Sequence, residues 1–230
     1  MDKDQYDILV DRIISNDMTM VTKERFDTIY RHYNAVSRLS GDIIECGIWR
    51  GGVSIFLAKL FNDKNVWMCD SFEGFQPLDS ASYEYYGHES HTPRFVLPGQ
   101  TPGSPEGFYE EVIQNLASFE LYPDDRIKIL KGWVKDTLSA NTFTAKDISL
   151  LRIDVDAYSA TYEVLEQLYS KVVTGGLIVF DDSCLHETRD AMCDFFDKLN
   201  IKGFLRHTVT DEIIHTPRDI ELPCGCYIVK

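Results

Sequence analysis

The chain has 230 residues, 44% of them hydrophobic and 26% charged, which suits a single globular domain over 1–230 and is too short for two comfortable cores. Its net charge of −14 disfavours nucleic acid and anionic membrane surfaces as partners, because both need a basic footprint. No apolar run approaches the ~20 residues of a membrane span, and the opening Met1-Asp2-Lys3-Asp4 resembles neither a signal nor a transit peptide, so a soluble, cytoplasmic protein is expected.

Residues 1–40 read as an N-terminal helical cap. Ile8, Leu9, Ile13 and Ile14 recur at near-helical spacing, as do Phe26, Ile29, Tyr30, Tyr33 and Val36. The uncharged segment Met18-Thr19-Met20-Val21-Thr22 separates the two patterns. The period then changes. Asp42 to Gly47 is a short apolar run closed by an acid and a glycine, and Gly51-Gly52 lead into a helical pattern through Ile55, Phe56, Leu57 and Leu60. Further buried strands are expected at Val66–Asp70, Ile127–Leu130, Ile148–Ile153 and Leu177–Phe180, mostly separated by helical patterns. Such alternation means a parallel, doubly wound α/β sheet with right-handed crossovers. Phe204-Leu205 and Cys226 to Val229 look like an antiparallel hairpin that closes it. Residues 76–107 carry prolines, glycines, tyrosines and histidines without a sustained period and read as a lid or substrate loop.

In this fold class the ligand lies off the carboxyl ends of the strands. Those ends carry Glu45, Asp70, Asp154 and the pair Asp181-Asp182. The loop Glu45-Cys46-Gly47-Ile48-Trp49-Arg50-Gly51-Gly52 lets a ligand approach the backbone near a helix N-terminus, although a plain strand-to-helix turn has the same composition. Asp70, at the end of the next strand, can accept the two hydroxyls of a ribose. Together they suit a nucleoside-containing cofactor without a diphosphate. Asp154, Asp156, Asp181 and Asp182 fall at adjacent strand tips, and three carboxylates there make a site for a hard cation such as Mg²⁺. The alternative is that Asp182 caps the next helix and Asp156 faces solvent. His186, four residues after Asp182, shares that edge. The six cysteines are read as reduced, too few for a disulfide scaffold.

Five ordered stretches carry a resemblance. They are Met18 to Val21, Gly41 to Gly52, Asp70-Ser71-Phe72-Glu73-Gly74-Phe75, Lys131-Gly132-Trp133-Val134-Lys135-Asp136-Thr137-Leu138, and Asp154-Val155-Asp156-Ala157-Tyr158-Ser159-Ala160-Thr161, completed by Gly175-Gly176 and Asp181-Asp182. With them the chain resembles the TylF/MycF-type macrocin O-methyltransferases, which include NovP-like sugar methyltransferases. The resemblance implies a class I S-adenosylmethionine-dependent methyltransferase: a Rossmann-like, mostly parallel sheet using S-adenosyl-L-methionine and Mg²⁺. It implies that Thr19 and Met20 close over the cofactor. Glu45 and Gly47 would line its methionine part, Cys46, Gly51 and Ser54 would also lie at the cofactor, and Asp70 would hold its ribose. Ser71, Phe72 and Trp133 would surround its adenosine, with Gly132 also at the cofactor. Asp154, Asp181 and Asp182 would bind the metal, and Asp154 would also be the catalytic base. Apart from the resemblance, His186 on that edge and Tyr158 are the candidates to reach substrate.

The implied acceptor is a sugar hydroxyl on a glycan precursor, nucleotide-linked or of capsule or lipopolysaccharide type, or on a glycosylated natural product. A metal-dependent catechol or phenol O-methyltransferase would use the same three acids, and a non-catalytic nucleoside-binding module is the reading from outside catalysis. A homo-oligomer stays open.

Overall fold

The computed structural model describes residues 1–74, 107–201, 205–214 and 225–230. Helices α1 (Lys3–Ser15) and α2 (Lys23–Val36) precede β1 (Asp42–Cys46), α3 (Gly52–Leu60) and β2 (Val66–Asp70). After the lid region come α4 (Phe108–Ser118), β3 (Ile127–Lys131), the single turn α5 (Val134–Thr137), β4 (Ile148–Ile153), α6 (Tyr158–Leu168) and β5 (Val172–Phe180). The chain ends with α7 (His186–Lys198), β6 (Leu205–His207), β7 (Ile213–Ile214) and β8 (Cys226–Val229). The expected lid, 76–107, lies outside the described residues apart from Gly107.

The sheet order is β3-β2-β1-β4-β5-β8-β6-β7. The first five of these strands run parallel. β8 pairs antiparallel with β5, and β6 antiparallel with both β8 and β7. The doubly wound sheet and its antiparallel closure therefore stand as expected. β7 is an added edge strand, too short to leave a period in the sequence.

Alternation along the strands splits the core into two layers. Ile43, Val66, Met68, Leu150, Leu177 and Val179 pack with residues of α1 to α4, whereas Ile44, Trp67, Cys69, Leu151, Ile153, Ile178 and Phe180 pack with residues of α6 and α7. In α1 the Asp2 side chain and Gln5 form a capping box, which satisfies two backbone donors at the helix start. The buried stripe of α1 is Tyr6, Leu9, Val10 and Ile13, while Ile8 is exposed. Ile8 thus leaves the expected apolar face, because Tyr6 takes the core position beside Tyr30 and Phe56.

The sheet grows outward from β1 on one side and from β4 on the other, and the crevice at such a reversal is where ligands sit. There the two strands are locked together. The Asp154 N–H donates to the Cys46 carbonyl at 2.9 Å. A Cβ on Gly47 (φ +83°) would lie 1.7 Å from the Asp154 carbonyl oxygen, so the close approach of the two strand tips requires glycine.

One expectation fails outright. Cys184 is disulfide-bonded, while Cys46, Cys69, Cys193 and Cys226 are free and buried. Cysteine usage reflects the compartment only on average; which sulfurs the fold brings within bonding distance is a tertiary matter.

Candidate active site

On the β1–β2 side of the crevice, each expected cofactor residue is held by a short-range constraint. Gly47 donates its N–H to the Cys69 carbonyl at 2.9 Å, and Gly51 (φ +81°) donates to the Ile48 carbonyl at 2.7 Å. Asp70 closes the turn: Oδ2 accepts from the Ile48 N–H and Oδ1 from the Phe72 N–H, each at 2.8 Å. Burial pushes the Asp70 carboxyl up, against backbone donors of residues 48, 49, 71 and 72 that favour its charge. These backbone donors fix the carboxylate at the carboxyl end of β2. Gly132 (φ +137°) donates to the Asp70 carbonyl at 2.8 Å, and Trp133 follows it, half-buried, as the N-cap of α5.

Ser71 is buried, its hydroxyl donating to the Gly74 carbonyl at 3.0 Å. Phe72 (φ +57°) is also buried, with ring contacts to Phe108 and Tyr109. The Cys46 side chain belongs to the core layer under α6 and α7, so only its backbone edges the crevice. Above the loop lies the α1–α2 connection. Its Met18 carbonyl accepts the Gly52 N–H at 2.9 Å, Thr19 Oγ1 accepts the Val21 N–H at 3.0 Å, and the Met20 side chain is 73% exposed.

At the β4–β5 side stands the acid cluster. Asp154, Asp156 and Asp182 each bring a carboxylate oxygen to within 4.8 Å of the others. Asp156 holds φ at +56°, an unusual conformation for a non-glycine residue that occurs where the surroundings enforce it. Asp181 is oriented differently. Its Oδ2 lies 2.6 Å from Arg25 Nη1 and 3.0 Å from Arg152 Nη2. The expected triad of Asp154, Asp181 and Asp182 is therefore met by two acids that cluster and one that is paired with arginines, while Asp156 joins the cluster instead of facing solvent. Asp182 does not cap α7, whose N-cap is Leu185.

Arg152 links the two halves. Its strand position is directly opposite Glu45 in the β1–β4 register. Nη1 lies 2.6 Å from Glu45 Oε1 and Nη2 lies 2.8 Å from Asp154 Oδ2. Glu45 also accepts a hydrogen bond from the Ser54 hydroxyl. Both Glu45 and Arg152 are buried, at 1% and 2% exposure, so neither charge could persist without the other. Burial pushes Glu45 up to about 7, with Arg152 and Ser54 opposing the rise.

The cluster holds more negative charge than its arginines offset. Burial pushes Asp182 up to about 7 and Asp156 up to about 6, with neighbouring aspartates adding to the rise. Asp154 is pushed well above the ordinary carboxylate range too, by burial and by Asp181 and Asp182, despite Arg152. Carboxylates in this condition share protons or take up a cation. Three hard oxygen donors with surplus charge fit a divalent cation, and the glycine loop with Asp70 fits a nucleoside group.

The two expected substrate residues are already engaged. The Tyr158 hydroxyl donates to Asp194 Oδ2 at 2.8 Å, and its ring stacks on Tyr162. His186 is exposed in the first turn of α7 and hydrogen-bonds Arg189 through Nδ1. Sequence reasoning passed over Arg152 and Arg25. Arg152 had a signal, a lone charge in the otherwise apolar run Ile148 to Ile153; a strand covered on both faces tolerates such a residue only with a partner. Arg25 had none, since its partner is 156 positions away.

With this geometry established, three comparisons bear on identity. A family model described as Macrocin-O-methyltransferase (TylF) matches residues 5–212. The mycinamicin III 3''-O-methyltransferase of Micromonospora griseorubida is 30% identical over 207 residues, covering 87% of this chain and 75% of the relative. The 8-demethyl-8-(2,3-dimethoxy-alpha-L-rhamnosyl)-tetracenomycin-C 4'-O-methyltransferase of Streptomyces olivaceus is 31% identical over 211 residues, covering 83% and 76%. Among solved structures, the O-methyltransferase NovP superposes with a TM-score of 0.67 at 25% identity, over 92% of this chain and 81% of that one.

Proposed function

Because the chain belongs to the macrocin O-methyltransferase (TylF) family, and is on that ground an S-adenosylmethionine-dependent O-methyltransferase of class I fold, we propose that it methylates a sugar hydroxyl with the help of a divalent cation, Mg²⁺ by preference. The acceptor would be a glycan precursor or a glycosylated small molecule. The observation that carries the proposal is the meeting of Asp154, Asp156 and Asp182 at the carboxyl edge of the sheet, across the strand-order reversal from the Gly47–Asp70 side. The sugar acceptor rests on relatives such as the one named for a rhamnosyl tetracenomycin.

S-adenosylmethionine, when bound, would supply an electrophilic methyl group, with S-adenosylhomocysteine as the leaving thioether. A divalent cation on the acids would lower the pKa of a nearby hydroxyl and neutralise the charge that develops on it. The remaining work belongs to the chain. Gly47 keeps the β1 tip against β4, so that the cofactor and acid halves meet at fixed separation. Asp70 holds the ribose end from its place at the tip of β2. Asp154 takes the acceptor's proton as general base. Arg152 keeps Asp154 oriented through its second nitrogen while neutralising Glu45 beneath it. The net balance is one methyl transferred to oxygen and one proton passed to Asp154 and then to water. Bringing the hydroxyl and the methyl into line supplies much of the acceleration.

The test is formation of S-adenosylhomocysteine by the purified protein with rhamnosyl, nucleotide-sugar and catechol acceptors, each with Mg²⁺ and with EDTA. Turnover with a sugar that EDTA abolishes is expected. Turnover with catechol alone would overturn the sugar assignment, and full activity in EDTA would overturn the cation.

A further inference from the structure

Arg25 sits in the first turn of α2, far in sequence from the acids it touches. Its Nη1 lies 2.6 Å from Asp181 Oδ2 and 3.9 Å from Asp182 Oδ1, with its side chain only 17% exposed. The segment that delivers it is tied down at its other end. The Asp17 carbonyl accepts from Arg50 Nη1 at 3.0 Å and the Met18 carbonyl from the Gly52 N–H at 2.9 Å. Residues 17–25 thus cross from the glycine loop to the acid cluster and are anchored at both.

A guanidinium and a divalent cation ask for the same thing, namely carboxylate oxygens with surplus charge. Asp182 belongs to the cation cluster and also faces Arg25. Asp181 shares one oxygen between Arg25 and Arg152. Arg152 cannot leave, because Glu45 holds it in the core. Arg25 can, because it comes from a surface helix and keeps some exposure.

We propose that Arg25 is a positioning residue that acts as a built-in competitor of the divalent cation, latching the first turn of α2 and the segment before it to Asp181 and Asp182 when the cation is absent and yielding to it when it binds. The inference rests on the cation reading of the cluster given above. Linkage makes the effect reciprocal: the cation loosens the α2 latch as much as the latch weakens the cation.

The experiment is titration of the purified protein with Mn²⁺, read by paramagnetic resonance of the free ion, for wild type, Arg25→Met and Arg25→Lys. Removing a positive charge about 4 Å from a ligand oxygen should tighten Mn²⁺ binding by about tenfold or more. Arg25→Lys, which keeps the charge, should stay near wild type. Hydrogen exchange in wild type should quicken over residues 19–28 when Mn²⁺ is added, and in Arg25→Met it should be quick with or without the ion. A purely structural arginine would leave Mn²⁺ affinity unchanged or weaker in Arg25→Met, and either result overturns the proposal while leaving the cation site standing. If no variant binds Mn²⁺, the cation reading fails and the competitor with it.

Discussion

The proton-sharing acids give the structure a stability that depends on pH and on cation together. Take the cation-free protein from pH 5.5 to pH 8. Asp156 and Asp182 have folded pKa values of about 6 and about 7, raised from an ordinary 3.8. In the unfolded chain both are ionised across this window. The folded state therefore binds more protons, and stability must fall as pH rises through those values. Integrating the difference gives a loss of about 1 kcal/mol from Asp156 and about 2 kcal/mol from Asp182. For a domain of this size a combined ~3 kcal/mol corresponds to a fall in Tm of roughly 6–12 °C. Asp154 is pushed up as well, by burial and by its aspartate neighbours, and its share comes on top of these two. Glu45, at about 7, adds a further fall that belongs to the core pair and not to the cluster. The double variant Asp156→Asn/Asp182→Asn isolates the cluster's share: its Tm should drop less than that of wild type by that 6–12 °C. Mg²⁺ at a hundredfold excess over its Kd should restore about 3 kcal/mol to wild type at pH 8 and little to the double variant. Scanning calorimetry at both pH values reads all of this. An equal drop in wild type and double variant, with no effect of Mg²⁺ at pH 8, would refute the reasoning.

Gly47→Ala places a Cβ against the Asp154 carbonyl at a positive φ, so the β1 and β4 tips must part; a loss above about 2 kcal/mol in denaturant unfolding is expected, together with weaker S-adenosylmethionine binding, and wild-type values in both would contradict the close approach. Asp70→Ala should weaken S-adenosylmethionine by ~1–3 kcal/mol through the lost charged acceptor, read by isothermal titration; unchanged affinity in a folded variant would remove Asp70 from the ribose. Asp182→Asn keeps an oxygen donor and should recover part of its rate in excess Mg²⁺, whereas Asp154→Asn loses the proton acceptor and should not. Metal titrations of turnover compare the two, and full rescue of Asp154→Asn would reduce Asp154 to a ligand.

The framework of this protein is written locally. Five strand positions, the helices between them and the acids at the strand tips follow from period, glycine placement and apolar runs, because a strand covered on both faces must be apolar nearly throughout and the crevice must lie past its carboxyl end. The lone Arg152 in β4 and the D-x-D spacing of Asp154 and Asp156 were visible in the same way. What each charge touches was not. Asp181 and Asp182 are neighbours in sequence, yet one meets two guanidiniums and the other joins Asp154 and Asp156. Asp156 reaches that cluster from a left-handed backbone conformation. Arg25 arrives from a helix 156 positions away, and Cys184 finds a sulfur to bond. Local period reports which face of an element is buried. It carries no record of which distant side chains the strand order brings within 3 Å, and the strength of a charge contact depends on that distance and on the water excluded around it. That is why the architecture could be read from the chain, while the division of the aspartates between the arginines and the three-acid cluster was decided by the tertiary structure.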